Sequence, residues 1–173
     1  MHAGDLSLER WANFWVCIST AAAALVGIMF VVISLATGDR NPKDAPKIRV
    51  YLTPVVIYFS SIVFIGLLLT MPAHTPATAG VCVCLGGVAG LGYSGSLAIR
   101  RGQGQGFYEH PSDLLPYVVL PFVAYLLTVS GGLLLFRAPQ IGVDLVAAGM
   151  LALLAVAIRN SWAIAVTILS GRG

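Results

Sequence analysis

Three cysteines and one histidine are the residues of this chain best suited to bind a soft metal ion or to carry redox chemistry. Cys17 belongs to the first apolar segment, Cys82 and Cys84 belong to the third, and His74 lies in the connection before the third. A Cys-x-Cys pair on a helix separates its thiols by about 200°. Since cysteine also packs as a small hydrophobe, we predict that these cysteines serve packing, with a metal or redox site as an alternative. No cofactor is predicted.

Arg159 and Asn160 interrupt the last apolar segment, and ionisable residues inside a membrane are candidates for function. Counted from Ile141, Asn160 lies about 30 Å along a helix, which would put Arg159 at the membrane boundary. A deeper placement of the helix would instead put it inside. Arg159 shares one helical face with three small residues: Ala148, Ala152 and Ala155.

This shared face predicts that Arg159 packs against a neighbouring helix. A buried guanidinium needs partners, and Asp113 at the start of the fourth segment is the leading candidate. Two alternatives remain open. Arg159, together with Asn160, could line a permeation path, or Arg159 could extend to the lipid headgroups from the boundary.

Other patterns that carry chemistry are missing from the sequence. It has no GxSxG nucleophile motif, and the glycine-rich "RRGQGQG" follows a helical segment and not a strand, so it is no phosphate loop. Arg100 and Arg101 in that stretch are expected to contact lipid headgroups. No basic stripe with interleaved aromatics indicates nucleic-acid binding. We therefore predict a protein that is not an enzyme.

The composition predicts an all-α membrane protein. Of the 173 residues, 58% are hydrophobic and 10% are charged, whereas soluble domains carry about 25% charged residues. Only helices satisfy their own backbone in lipid without closing a barrel. A single domain with five transmembrane helices is predicted, at about 12–38, 49–71, 78–99, 114–136 and 141–169. The alternative is four spans, with the last segment lying on the membrane surface.

Basic residues predict the orientation of these spans, because they are enriched on the cytoplasmic side. Eight lie in the first loop, the third loop and the C-terminal region, against two on the other side. The N-terminus is therefore expected outside and the C-terminus in the cytoplasm.

Small residues follow one face of several predicted spans, as in helices that pack closely in lipid. The third span carries Cys82, Gly86, Gly90 and Ser94 at helical spacing, the first carries Asn13, Cys17, Thr20, Ala24, Gly27 and Ser34, and the fourth carries Tyr117, Pro121, Ala124, Thr128 and Gly131. Pro116 and Pro121 predict a kink in the fourth span. These faces pack either a monomeric bundle or an oligomer. We favour an oligomer, because a single bundle of five helices does not need so many small-residue faces for its own packing.

A further set of polar side chains lies deep in the predicted spans, where each can form hydrogen bonds between helices or line a hydrated path. They are Tyr58, Ser60, Ser61, Tyr93, Ser94, Tyr125 and Thr128.

Four short stretches resemble a family of small bacterial integral membrane proteins without an assigned activity. They are "LERWANFWV", "TPVVIYF" (53–59), "LPFVAYLL" (120–127) and "IRNSW" (158–162). The resemblance implies a bacterial inner-membrane location.

Three functional hypotheses follow. The first is a non-enzymatic membrane protein that acts by helix association, as a homo-oligomer or as an accessory subunit or scaffold of a membrane complex. The second is a channel for a small ion or solute. The third is a redox or metal-binding membrane protein. Lipid and other membrane subunits are the expected partners, and nucleic acid is not.

Overall fold

The computed structural model describes residues 10–37, 45–72, 75–102 and 115–170, and these are helices and short turns, with no strand among them. Five helices are long and apolar enough to cross a membrane. A π-helical turn at Leu115–Val119 directly precedes the fourth helix. The helices are α1 (Ala12–Thr37), α2 (Ala45–Leu69), α3 (Pro76–Gly102), α4 (Leu120–Leu134) and α5 (Pro139–Ser170).

The structure confirms five apolar helices at the predicted places, with small differences at their ends. Helix α2 begins at Ala45, before the predicted start at Arg49, and α3 extends at both ends, to Pro76 and Gly102. The two prolines that predict a kink lie in the π-helical turn and directly after it, and the kink itself stays a prediction. The N- and C-terminal residues 1–9 and 171–173 lie outside the described residues.

Helices α2 to α5 form an antiparallel core. Gly80, Gly87 and Gly90 of α3 meet successively earlier residues of α4, namely Gly132, Val129 and Tyr125. Ile65 and Tyr58 of α2 meet Gly86 and Tyr93 of α3 in the same antiparallel sense, and Asn160 of α5 bonds to Pro116 before α4. The last turns of α3 and α5 and the first turn of α2 therefore lie at one end of the bundle. We call this the Arg100 end, because Arg100 and Arg159 lie towards it.

Helix α1 lies at the edge of this core and packs mainly against α2. In the apolar stretches of α1 and α3, 22% of the residues are buried, against 50% in those of α2 and α5. Its buried face includes Trp15 and Ser19, which meet α2 at Gly66. A large part of α1 therefore faces away from the bundle.

Helix α5 packs along the whole of α4. This packing does not fit the alternative of four spans with the last segment on the membrane surface. Gly142 lies against Leu135, Gly149 against Thr128, and Asn160 binds Pro116. A helix lying on the membrane surface would not make contacts that follow a neighbouring helix from one end to the other.

Candidate functional site at the broken start of α4

Close approach of α4 and α5 sets the position of the site. A Cβ built on Gly142 would lie 2.7 Å from the backbone nitrogen of Leu135, and one on Gly149 would lie 2.8 Å from the carbonyl oxygen of Ala124. Only glycine permits such backbone contact. Continuing this face of α5 by helical steps brings Asn160 against the π-helical turn.

Pro121 disrupts the hydrogen bonding of that turn because it has no N–H. In an α-helix the carbonyl of Tyr117 accepts from the N–H four residues later, and in a π-helix the carbonyl of Pro116 accepts from the N–H five residues later. Both positions are Pro121. Whichever pattern the turn follows, the absent N–H would have served one of these two buried carbonyls, so the turn needs a donor from elsewhere.

Side chains from two other helices donate to these carbonyls. The Asn160 side-chain nitrogen Nδ2 donates to the Pro116 oxygen at 3.0 Å, and the Tyr58 hydroxyl donates to the Tyr117 oxygen at 2.9 Å. Asn160 and Tyr58 are both fully buried. The helix break is therefore stabilised by α2 and α5 together.

A second pair of hydroxyls lies about one turn deeper. The Tyr125 and Ser61 hydroxyls are 2.8 Å apart, and Ser61 also donates to the Ile57 carbonyl at 2.8 Å. A Cβ on Gly90 would overlap the Tyr125 ring, so the ring can occupy this position only because residue 90 has no side chain. Tyr58 and Tyr125 contact edge to face, with centroids 6.2 Å apart. The expectation of interhelical hydrogen bonds at depth is confirmed for this cluster.

Ser94 on α3 is also a buried hydroxyl, but it differs from these in its hydrogen bonding. It is fully buried, and its hydroxyl has no hydrogen-bond partner among the described residues. Trp15 Nε1 and Ser19 Oγ share this property at the contact between α1 and α2.

The structure does not pack Arg159 against a neighbouring helix of the same chain, as the sequence predicted. Its side chain is exposed on the outer surface of α5 and donates from Nη1 to Asn160 Oδ1 at 3.2 Å. Asn160 is the residue that packs. The bundle-facing side of α5 is thus rotated by one residue, about 100°, from the alanine face predicted to pack. Asp113, the predicted partner of Arg159, lies outside the described residues.

The alanines of that face follow Arg159. Ala148 and Ala155 are exposed and Ala152 is half-buried, so they contribute little to packing within one chain. Their use between subunits stays a prediction. On α3 the predicted face does pack: Gly90 and Ser94 are buried, and Cys82 and Gly86 are half-buried.

The cysteines lie apart from the site. Cys17 is exposed, Cys82 and Cys84 are half-buried, and all three are free thiols. The Cys84 thiol donates weakly to the Val129 carbonyl at 3.8 Å. In the part of the chain that the structure describes, no three His, Cys, Asp or Glu residues come together to hold a metal. His74 and the side chain of Arg101 lie outside the described residues, and Arg100 is exposed.

The small-residue face of α1 is exposed over its length, in contrast to that of α4. In α4 and the π-helical turn before it, every member of the predicted face is buried: Tyr117, Pro121, Ala124, Thr128 and Gly131. On α1 every member is exposed: Asn13, Cys17, Thr20, Ala24, Gly27 and Ser34. We call these six residues the α1 stripe.

Sequence reasoning missed the glycines that bring α4 and α5 together. Gly142, Gly149 and Asn160 recur on one helical face, and that spacing was the available signal. It also missed that Asn160 and Tyr58 donate hydrogen bonds to the carbonyls of the π-helical turn. The absent N–H of Pro121 does identify the Pro116 and Tyr117 carbonyls from the sequence.

These features define a helical membrane protein of several spans, with a polar cluster of hydroxyls and one amide, and with the exposed guanidiniums of Arg100 and Arg159, towards the Arg100 end. No family model, curated protein or solved structure matches the chain.

Proposed function

We propose that this chain is a non-enzymatic integral membrane protein that acts by helix association. It works as a homo-oligomer or as an accessory subunit or scaffold of a membrane complex. The excess of basic residues in the first loop, the third loop and the C-terminal region of the sequence supports an N-terminus outside and a C-terminus in the cytoplasm. The resemblance in sequence supports a bacterial inner membrane.

The exposed α1 stripe is the observation that carries the proposal. A helix facing only lipid needs no small or polar side chains there, and α4 accordingly presents large residues such as Phe122, Leu126 and Leu133. Helix α1 exposes large residues such as Phe30 and Val31 as well, but it also exposes the six small or polar residues of the α1 stripe. Close packing of small residues is what drives helices together in lipid.

Gly27 is the point at which a second helix could approach α1 most closely. Nothing lies within 4 Å of a Cβ built there. Asn13 and Thr20 supply polar groups on the same stripe that would gain hydrogen-bond partners in an interface. Two copies with the same orientation in the membrane present these residues at the same depth. A twofold axis along the membrane normal would therefore place like against like.

Cys17 belongs to the α1 stripe and makes the proposal testable. In a chain with Cys82→Ala and Cys84→Ala, we expect oxidation in membranes to link two copies through Cys17. The matched control carries Cys17→Ala and Phe64→Cys in the same background. Phe64 is 68% exposed on α2, near the level at which α2 meets α1, and its cysteine should not cross-link.

The two chains separate the outcomes of this test. A dimer from Cys17 and none from Phe64→Cys supports self-association through α1. Equal cross-linking of both chains would indicate random collision, and no dimer from Cys17 would contradict a homo-oligomer built on this stripe.

A channel for a small ion or solute is the second candidate, favoured by the buried hydroxyls and amide near the π-helical turn. Large buried side chains, including Tyr58 and Phe59, fill the interior of the single bundle. Conduction would therefore need movement of the broken helix or a path at an oligomer axis. Flux measurements in proteoliposomes test this, and the absence of flux for ions and small neutral solutes would exclude it.

A further inference from the structure

Arg159 is an exposed cation whose orientation is set from inside the protein. Its Nη1 donates to Asn160 Oδ1 at 3.2 Å, and the amide of the fully buried Asn160 is itself fixed on the Pro116 carbonyl at 3.0 Å. An arginine that only reaches for the interface needs no such support. A guanidinium held in place loses less freedom when it binds a ligand.

The charge of Arg159 is not balanced by the described part of the chain. Asp144 is the only acidic side chain that the structure describes, and it lies fifteen residues earlier on α5, about 22 Å away along the axis. A guanidinium has five N–H donors, and the bond to Asn160 uses one of them. Charged donors therefore remain on the outer surface of the helix.

The surroundings of Arg159 are those of a lipid and not of water alone. The apolar stretch of α5 runs to Val166, seven residues or about 10 Å beyond Arg159. Ile158 and Trp162 beside it are 45% and 72% exposed, and Ala155 one turn away is exposed and small. The ligand that fits must be negatively charged at one end and apolar along its length.

We propose that Arg159, positioned by Asn160, binds the phosphate of an anionic phospholipid whose acyl chain lies along Ala155 and Ile158. The planar guanidinium matches two phosphate oxygens. Trp162, one turn further along α5, contacts the same lipid near its headgroup, as tryptophan does at membrane interfaces. The proposal is independent of self-association through α1.

Trp162 provides the readout. Purified protein in neutral detergent is titrated with brominated phosphatidylglycerol or brominated phosphatidylcholine, and quenching of tryptophan fluorescence is followed. The difference between the native chain and Trp162→Phe isolates the signal of Trp162. We expect the anionic lipid to quench it at lower concentration than the zwitterionic lipid.

Arg159→Gln should raise the half-quenching concentration of phosphatidylglycerol about fivefold or more, the effect of one basic residue at a membrane surface. The effect on phosphatidylcholine should be smaller, because its choline cation balances the charge of the phosphate. Arg159→Lys keeps the charge but loses the planar fork, so its effect should be intermediate. Arg100→Gln is the matched control, since Arg100 is exposed on α3 at the same end, and it should change the value less than twofold.

Either of two results with the variants would overturn the proposal. One is no change in Arg159→Gln, as expected if Arg159 is neutralised by another part of the chain. The other is an equal loss in Arg159→Gln and Arg100→Gln, which would indicate diffuse surface charge. Inorganic phosphate at the lipid's concentration should not relieve the quenching, and relief by phosphate would contradict binding through the acyl chain. Circular dichroism of each variant establishes that the helices are intact.

Discussion

Tyr58→Phe removes the hydroxyl that donates to the Tyr117 carbonyl at 2.9 Å and leaves the aromatic ring in place. Both residues are buried, with exposed fractions of 0% and 4%, so water cannot replace the lost donor. Loss of a hydrogen bond to a buried group costs about 1–3 kcal/mol, and hydrogen bonds between membrane helices contribute about 0.6–1.7 kcal/mol. We expect the free energy of unfolding to fall by about 1–2 kcal/mol.

Pro121→Ala tests whether the missing N–H is the reason for this cost. Alanine restores a backbone donor four residues after Tyr117. In the Pro121→Ala background, Tyr58→Phe should therefore cost less than about 0.5 kcal/mol, because the helix itself now satisfies the carbonyl. The measurement is equilibrium unfolding by sodium dodecyl sulfate in mixed micelles, followed by circular dichroism.

Tyr125→Phe is the matched control for this cycle. It also removes a buried hydroxyl from a tyrosine, but its partner Ser61 keeps a bond to Ile57 and is not linked to Pro121. Its cost should be the same in both backgrounds. Equal costs of Tyr58→Phe with and without Pro121 would refute the explanation that the hydroxyl substitutes for a helical donor.

Three further substitutions test packing and polar burial by the same assay. Gly149→Ala should destabilise the chain by about 1–3 kcal/mol, because its Cβ would meet the Ala124 carbonyl. Gly95→Ala is the control and should leave stability unchanged, because nothing lies within 4 Å of a Cβ at Gly95. Equal effects of the two substitutions would contradict this account of the α4–α5 contact. Asn160→Leu should cost about 1–3 kcal/mol by leaving the carbonyl that Asn160 serves without a donor. Ser19→Ala should leave stability unchanged or raise it slightly, because Ser19 Oγ is buried without a partner among the described residues, and a clear loss would show that it has one.

The spans were predictable because lipid imposes a minimum apolar length that proline and charged residues interrupt. All five apolar helices fall at predicted positions for this reason. The packing faces of α3 and α4 were also predictable, since small residues there alternate with large ones. Large exposed residues such as Leu85 and Phe122 then define the outer surface.

The rotation of α5 was not predictable in the same way. This helix is apolar on all sides, so hydrophobicity does not select a face, and both alanines and glycines recur at helical spacing. The glycine face is the one that packs against α4, because only glycine allows the backbone contact with α4 at Gly142 and Gly149. That single choice buries Asn160 and exposes Arg159. It explains why the polar pair divides into one packed and one outward-facing residue.

The partners of the broken helix depend on contacts between segments far apart in sequence. Two prolines locate the break within the chain. They do not reveal that Tyr58 and Asn160 reach it, because that follows from the antiparallel pairing of α4 with α5 and from the position of α2 beside them.

Gly27→Ile tests the central claim, association through α1, most directly. Nothing lies near a Cβ at Gly27 or at Gly92 of α3, so both substitutions should leave the single chain folded, and isoleucine is no worse than glycine in a helix. The measurement is the oligomeric state in lipid nanodiscs or by native mass spectrometry. The account predicts an oligomer for the native chain and for Gly92→Ile, and a monomer for Gly27→Ile. A native monomer, or an oligomer that Gly27→Ile leaves intact, would contradict it.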